Sequence, residues 1–319
     1  MYTIAIANHK GGVGKTATVH VLGTVMAQAT GRRVLMVDMD PQSSLTGACG
    51  VTDAAGSSMT EVLGGALSGM VPLRRVIRGL GDGLALAPAD LSLASAELGL
   101  VSRMGRENVL RRALGDMDGE YDLALIDCPP SLGLLTINSL SAANAVLIPT
   151  QAQIVDLRGL RLFLDTLEQV RQEINPDLET LGILLTFFDR RLTHHRDAME
   201  TLERAGQPVL EVQIGRSVKV AEAATIGETV VTYDPQNPQS QCSVVYREVV
   251  CPFHIVKGLP VRRVLRVPQA GKFGDEVSHY RVEKPDHRFY RIGLFPLVVE
   301  EYVHRGQVAH KGPVVVIRQ

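Results

Sequence analysis

Eight residues near the N-terminus, His9-Lys10-Gly11-Gly12-Val13-Gly14-Lys15-Thr16, constrain this chain more than any other stretch. They follow a short apolar run, Tyr2 to Ala7, that reads as a buried strand. They precede Ala17 to Ala29, where Val19, Leu22, Val25 and Met26 recur near helical spacing. A glycine turn between a strand and a helix is the setting of a phosphate-binding loop. Glycines let backbone N–H groups turn inward around phosphate oxygens, and the helix N-terminus adds partial positive charge. The expected cradle is Gly11, Gly12, Val13, Gly14, Lys15, Thr16 and Ala17. Lys15 would reach the β- and γ-phosphates, and the Thr16 hydroxyl would bind Mg²⁺.

Two further strands end in carboxylates. Arg33 to Val37 reads as a buried strand that runs into Asp38-Met39-Asp40-Pro41-Gln42. Acidic residues at the C-terminal end of a strand lie where doubly wound folds hold ligands, and a spacing of two puts Asp38 and Asp40 on one side of an extended chain. Tyr121 to Ile126 is an apolar strand ending in Asp127-Cys128-Pro129-Pro130. Asp127 would accept from a magnesium-bound water, since Mg²⁺ keeps several waters and takes oxygen partners.

The leading Lys10 of the KGGVGKT string, the VDMDPQ box at 37–42 and the YDLALIDCPP box at 121–130 together resemble the deviant Walker A ATPases of the ParA/MinD family. The likeness covers roughly residues 1–250 and is strongest to the ParA/Soj partition ATPases. It implies that Lys10 reaches across a dimer to the other subunit's nucleotide, so that Lys10, Lys15 and Asp40 are the catalytic set. It further implies that Asp40 orients the attacking water, that Asp38 helps hold the magnesium waters with Thr16 and Asp127, and that Pro129-Pro130 sense the γ-phosphate. Basic residues gather at Arg190-Arg191 and at Arg216 and Lys219. The second pair lies in Ile214 to Ala223, which resembles the family's DNA-contacting IPRSVxxxEA segment with Gly215 in place of Pro. Val230 to Pro238 resembles the family's late YDP turn, and Gln241 to Val250 would be its last helix.

Strands and helical patterns alternate along this part of the chain, which predicts an α/β, doubly wound, mostly parallel sheet with helices on both faces. Ser58 and Glu61 are spaced as a capping box, and Gly79 to Gly83 reads as a turn. From about Cys251 the composition changes: twelve Lys/Arg stand against six Asp/Glu, and five of the nine His fall there. Runs at 261–267, 289–294 and 314–317 read as strands. Residues 251–319 therefore form a separate C-terminal extension: a small β appendage, a poorly ordered tail or an out-of-frame stretch.

Hydrophobic residues make up 45% and charged residues 21%, the balance of a globular chain. A net charge of −1 gives no global attraction to nucleic acid, so DNA contact needs a local patch. Cys49, Cys128, Cys242 and Cys251 have neither zinc-site nor disulfide-framework spacing. With no leader and no long apolar run, the chain reads as cytoplasmic, without stable membrane association.

The resemblance implies an ATP- and Mg²⁺-dependent partition ATPase that dimerises on ATP, binds DNA non-specifically on the nucleoid and is released by hydrolysis, stimulated by a centromere-binding, ParB-like partner. The alternatives are a MinD-like membrane-positioning ATPase, which needs a basic amphipathic C-terminal helix, and a nucleotide-gated regulator that binds without hydrolysis. A metal-cluster reductase needs a second seam cysteine beside Cys128, and the sequence offers no evident one.

Overall fold

The computed structural model describes residues 1–64 and 71–234, together with short strands at 264–266, 279–282, 291–292, 299–300 and 315–316. In chain order the elements up to 234 are β1 (Tyr2–Ile6), α1 (Lys15–Thr30), β2 (Val34–Asp38), α2 (Ser44–Ala48), α3 (Met59–Leu63), β3 (Arg78–Gly81), β4 (Leu84–Ala87), α4 (Leu93–Leu100), α5 (Val109–Gly115), β5 (Leu123–Asp127), α6 (Leu134–Ala142), β6 (Ala145–Gln151), α7 (Ile154–Glu173), β7 (Glu179–Thr186), α8 (Thr193–Arg204), β8 (Val209–Gln213), α9 (Val218–Thr225) and α10 (Val230–Tyr233).

The eight strands form one sheet in the order β3-β4-β2-β5-β1-β6-β7-β8. Every pairing is parallel except β3 with β4. Parallel strands covered on both faces should be apolar throughout, and β2 and β5 are buried at every position. Helix α1 packs on β1, β2, β4 and β5 and carries α2 and α10, while α3 to α8 make a chain of neighbours with one another. Residues of alternate strand positions, among them Ala5, Leu35, Val37, Ile126, Val146 and Ile148, join Phe163 and Leu167 of α7 in one buried cluster.

The winding reverses at β1. From there the chain goes to β2, out to the edge strand β3, back through β4 to β5 between β2 and β1, and then to β6, β7 and β8 on the other side of β1. Such a switch point opens a crevice beyond the C-terminal ends of the central strands.

Several local expectations hold. Ser58 caps α3 in a reciprocal box with Glu61. Gly31 ends α1 in the left-handed region at φ 63° and donates to the Ala27 carbonyl. Arg32 and Arg33 fall beyond the helix, and Arg33 pairs with Asp122 at 2.9 Å. The stretch at 79–83 is only partly a turn. Arg78–Gly81 is an antiparallel edge strand, and the reversal narrows to Asp82-Gly83, a pair suited to the positive φ that a tight hairpin needs.

By contact the chain divides into Met1–Glu248 and Val249–Gln319. In the second unit Val264–Arg266 (β9), His279–Val282 (β10) and Val315–Val316 (β13) form an antiparallel sheet in the order β13-β10-β9, and Arg291–Ile292 (β11) pairs with Val299–Glu300 (β12). The expected helix at Gln241 to Val250 lies outside the described residues. No helix among them is long and apolar enough to cross a membrane.

Candidate nucleotide site

The glycine loop leaves β1 and wraps the N-terminus of α1. Gly12 and Gly14 take φ of 71° and 87°, a region that side-chain-bearing residues resist, so the loop can turn its amides inward only with glycine there. Neighbouring strands hold it from outside. Asn8 Nδ2 donates to the Pro149 carbonyl at 2.8 Å and to Thr150 Oγ1 at 3.1 Å, and its Oδ1 accepts from the Lys10 N–H. Gln151 Nε2 donates to the Gly12 carbonyl at 3.0 Å, and Thr186 Oγ1 to the Val13 carbonyl at 2.8 Å. Helix α7 passes so close that a Cβ on Gly159 would collide with the His9 imidazole.

Lys15 is buried with 6% of its surface exposed, and its Nζ donates to the Lys10 carbonyl at 3.0 Å. Burial lowers its pKa, against the pull of Asp127 and Asp40 that favours the charged form. Lys10 itself and Thr16 and Ala17 are half-buried, Val13 is buried, and Gly11 and Gly12 face solvent. A Cβ on Gly11 would lie 3.9 Å from Pro130 Cβ, so the proline turn after β5 borders the loop.

The strand-end carboxylates converge there. Asp38 and Asp127 are direct partners across the β2–β5 ladder, and both are fully buried. Asp38 accepts from the Thr46 N–H at 2.9 Å, from Thr46 Oγ1 at 2.7 Å and from the Asp40 N–H at 3.1 Å. Burial pushes its pKa up to about 6 despite those bonds. Asp127 is raised well above the ordinary carboxylate range, first by burial and then by the Asp38 charge. Thr16 Oγ1 donates to Asp127 Oδ2 at 2.7 Å, while Asp127 Oδ1 is buried with no hydrogen-bond partner. Asp40 is half-buried, and its Oδ1 accepts from the Gln42 N–H at 2.9 Å.

These groups fit a hard divalent cation. Two buried carboxylates with raised pKa, one orphaned oxygen and a hydroxyl are oxygen donors short of positive charge. Among the described residues no group of three or more His, Cys, Asp or Glu could hold a metal ion alone. The oxygen donors of Thr16 and Asp127 suit Mg²⁺, which uses few protein ligands and completes its shell with water and substrate phosphate.

Arg190, Arg191 and Arg216 lie on two loops that meet beside this site, and Lys219 lies in the first turn of α9. The Phe188 N–H donates to the Ile214 carbonyl at 2.9 Å, joining the loop after β7 to the loop after β8. Arg190 is exposed and donates to Gln213 Oε1, Arg191 is exposed with its N–H on Asp189 Oδ1, and Arg216 is exposed. Lys219 is already engaged: its Nζ is 2.7 Å from Glu222 and sits over the Tyr233 ring at 5.4 Å.

Sequence reading missed Asn8, Thr46, Gln151 and Thr186. Their work is to hold backbone and carboxylates in place, and only Asn8 stands close enough to the glycine string to invite notice.

A strand, a glycine loop on a helix N-terminus, a buried lysine and carboxylates at adjacent strand ends define a P-loop nucleotide-binding protein. A family model described as an AAA domain matches residues 1–180. The chromosome partitioning protein ParA of Myxococcus xanthus is 40% identical over 233 residues, covering 72% of this chain and 81% of that protein. The sporulation initiation inhibitor protein Soj of Bacillus subtilis is 39% identical over 236 residues, covering 73% and 92%. The crystal structure of cobyrinic acid a,c-diamide synthase from Mycobacterium smegmatis, with bound ATP analog and magnesium, is 39% identical with a TM-score of 0.67 and covers 79% and 94%. The chain belongs to the ParA/Soj family of P-loop ATPases.

Proposed function

We propose that this protein is a DNA-partition ATPase whose nucleotide state controls dimerisation and DNA binding. ATP and Mg²⁺ are its cofactors at the glycine loop. Backbone amides of Gly11 to Ala17 and the Lys15 ammonium bind the phosphates. Bound Mg²⁺ would supply charge neutralisation at the phosphate oxygens, with Thr16 and Asp127 as its protein side and Asp38 behind them. Lys10 would reach the nucleotide of a second copy, and Asp40, at the mouth of the site, orients the attacking water.

DNA binding is non-specific and runs through Arg190, Arg191, Arg216 and Lys219 as contacts to phosphate, which makes it steeply salt-dependent. A centromere-binding, ParB-like partner stimulates hydrolysis and releases the dimer. The protein works in the cytoplasm on the nucleoid. Residues 1–250 are the ATPase domain, and 251–319 are an appended region.

One observation carries the coupling of nucleotide to DNA. The loops that hold Arg190, Arg191 and Arg216 join at Phe188 and Ile214, and the strand leading into the first of them grips the phosphate loop through Thr186 and Val13. Thr186 lies four residues before Arg190, and Ile214 two before Arg216, so a change at the phosphates has a short path to the basic loops. Such γ-phosphate switches alternate between two states set by contacts that hydrolysis removes.

The test combines sedimentation with DNA binding, with and without a non-cleavable ATP analogue, at two salt concentrations. The expected result is an analogue-dependent dimer that binds unrelated DNA sequences alike and weakens steeply with salt. A monomer with analogue bound, or DNA binding indifferent to nucleotide, would refute the reading.

A further inference from the structure

Helix α1 borders a second opening besides the phosphate loop. His20, Thr24, Ala27 and Gln28, spaced along one helix face, line a cavity of about 490 Å³. Cys49 at the end of α2, the β3–β4 hairpin at Leu80, Asp82 and Leu84, and the turn between α9 and α10 enclose the other sides. The turn packs tightly on α2: a Cβ on Gly227 would lie 3.4 Å from Gly50 Cα. The space falls in the size range of small-molecule sites, and no residue of the glycine loop lines it.

Its floor holds an unsatisfied group. His20 is 7% exposed, and no hydrogen bond reaches its imidazole among the described residues; the Thr24 hydroxyl donates to the His20 carbonyl instead, at 2.9 Å. Burial pushes the His20 pKa down to about 4, so near neutral pH the ring is uncharged and one nitrogen can only accept. Buried polar groups in folded proteins are nearly always hydrogen-bonded, and an unpaired one is costly. The walls at Ala27, Leu80 and Leu84 are apolar. The mouth is acidic: Asp82 and Glu228 are exposed there, and no Lys or Arg lines the cavity among the described residues. An anion would meet two carboxylates and no cation, so the cavity does not suit a nucleotide.

We propose that this cavity binds a small two-ended organic amine: a hydroxyl or N–H at one end donates to the His20 imidazole, an apolar body packs between Leu80 and Leu84, and an ammonium group at the other end meets Asp82 and Glu228. Each end of the ligand answers one feature of the lining, the unpaired acceptor below and the negative rim above. The site shares α1 with the phosphate loop but no residue with it, so it stands apart from the nucleotide reading.

The test uses the full-length protein and three probes, each titrated while its proton NMR signals are followed. They are tyramine, phenethylamine, which lacks the hydroxyl, and para-hydroxyphenylacetate, which carries a carboxylate in place of the ammonium group. Tyramine should bind about tenfold more tightly than phenethylamine, the effect of one hydrogen bond to a buried acceptor. His20→Leu should abolish that difference. Asp82→Asn combined with Glu228→Gln should weaken both amines about threefold to tenfold, as loss of exposed charges does, and leave their ratio unchanged. Ala27→Phe fills the floor and should abolish binding of both amines. Because Asp82 and Glu228 are exposed, the double variant tests the charge requirement even if a change at buried His20 or Ala27 prevents folding. No binding of tyramine at about 10 mM, the weakest affinity expected of a ligand with about ten non-hydrogen atoms, would overturn the proposal. So would para-hydroxyphenylacetate binding as tightly as tyramine, an undiminished advantage of tyramine in His20→Leu, or unchanged amine affinity in the double variant.

Discussion

Thr16 Oγ1 and Asp127 Oδ2 lie 2.7 Å apart, so the first turn of α1 is tied to the end of β5 by one hydrogen bond. The same carboxylate keeps Oδ1 buried and without a partner, an arrangement that costs about 1–3 kcal/mol unless something positive comes to it. Asp127→Asn keeps the shape and removes the charge. Nucleotide affinity in chelator should change little, while the gain on adding Mg²⁺ should fall at least tenfold, as titration calorimetry would record. An undiminished gain would take Asp127 out of the metal's surroundings.

Much of the architecture was legible because its signals are local and physical. β1, β2 and β5 are continuous apolar runs closed by glycine or by Asp, and the capping box at Ser58 needs only four residues. The edge strand β3 was not legible. Its Arg78-Gly79-Leu80-Gly81 sequence has turn composition, and only pairing with β4 extends it. Helix α6 escaped notice for the opposite reason. Asn138, Ser139 and Ser141 look like loop residues, yet each is buried and bonded: Asn138 Oδ1 takes the Val109 and Leu110 N–H groups, Ser139 bonds the Leu135 carbonyl, and Ser141 bonds Asn108. The site divides the same way. The glycine string announces itself, whereas Gln151 and Thr186 reach it from strands more than a hundred residues away.

Lys15 sits with its ammonium on the Lys10 carbonyl, inside the curl of the loop. On the proposed reading the Lys15 ammonium meets the phosphates, so Lys15→Ala deletes that charge, and charge-assisted bonds contribute roughly 1.5–3 kcal/mol each. With two such bonds lost, ATP affinity should drop by about a hundredfold or more. Calorimetry reads this directly, and retained tight binding would refute the loop assignment.

Asp40 differs from its buried neighbours in standing half-open at the mouth of the site. Asp40→Ala should leave ATP binding intact and lower kcat by roughly 10²–10⁴-fold, the span of a lost general base or water-orienting group. The variant should then accumulate as an ATP-bound dimer in sedimentation. Normal turnover in the variant would remove Asp40 from the mechanism.

His20 gives the fold a pH dependence unconnected with catalysis. It is 7% exposed on α1, and burial pushes its pKa down from 6.5 to about 4. Because the unfolded chain binds this proton more readily than the folded one, its contribution is present above pH 6.5 and lost as pH falls toward 4. Between pH 7 and pH 5 the loss amounts to about 2 kcal/mol. Urea unfolding at the two values should register it, and His20→Gln should remove most of the difference. An equal pH dependence in that variant would assign the effect to other groups.

Arg216 and Lys219 stand three residues apart and should contribute unequally to DNA binding. Arg216 is exposed, whereas Lys219 is held by Glu222 and the Tyr233 ring and must surrender both to meet a phosphate. The pair with Glu222 is partly exposed and screened by solvent, so Lys219→Ala should unfold near the temperature of the unaltered protein. Arg216→Ala should weaken ATP-dependent DNA binding across unrelated sequences and lower the slope of log affinity against log salt by about one, with ATP affinity unchanged. Lys219→Ala should lower that slope by less. Equal effects of the two substitutions would mean that the Glu222 pair opens freely on DNA, and no effect of Arg216→Ala would move the DNA face elsewhere on the protein.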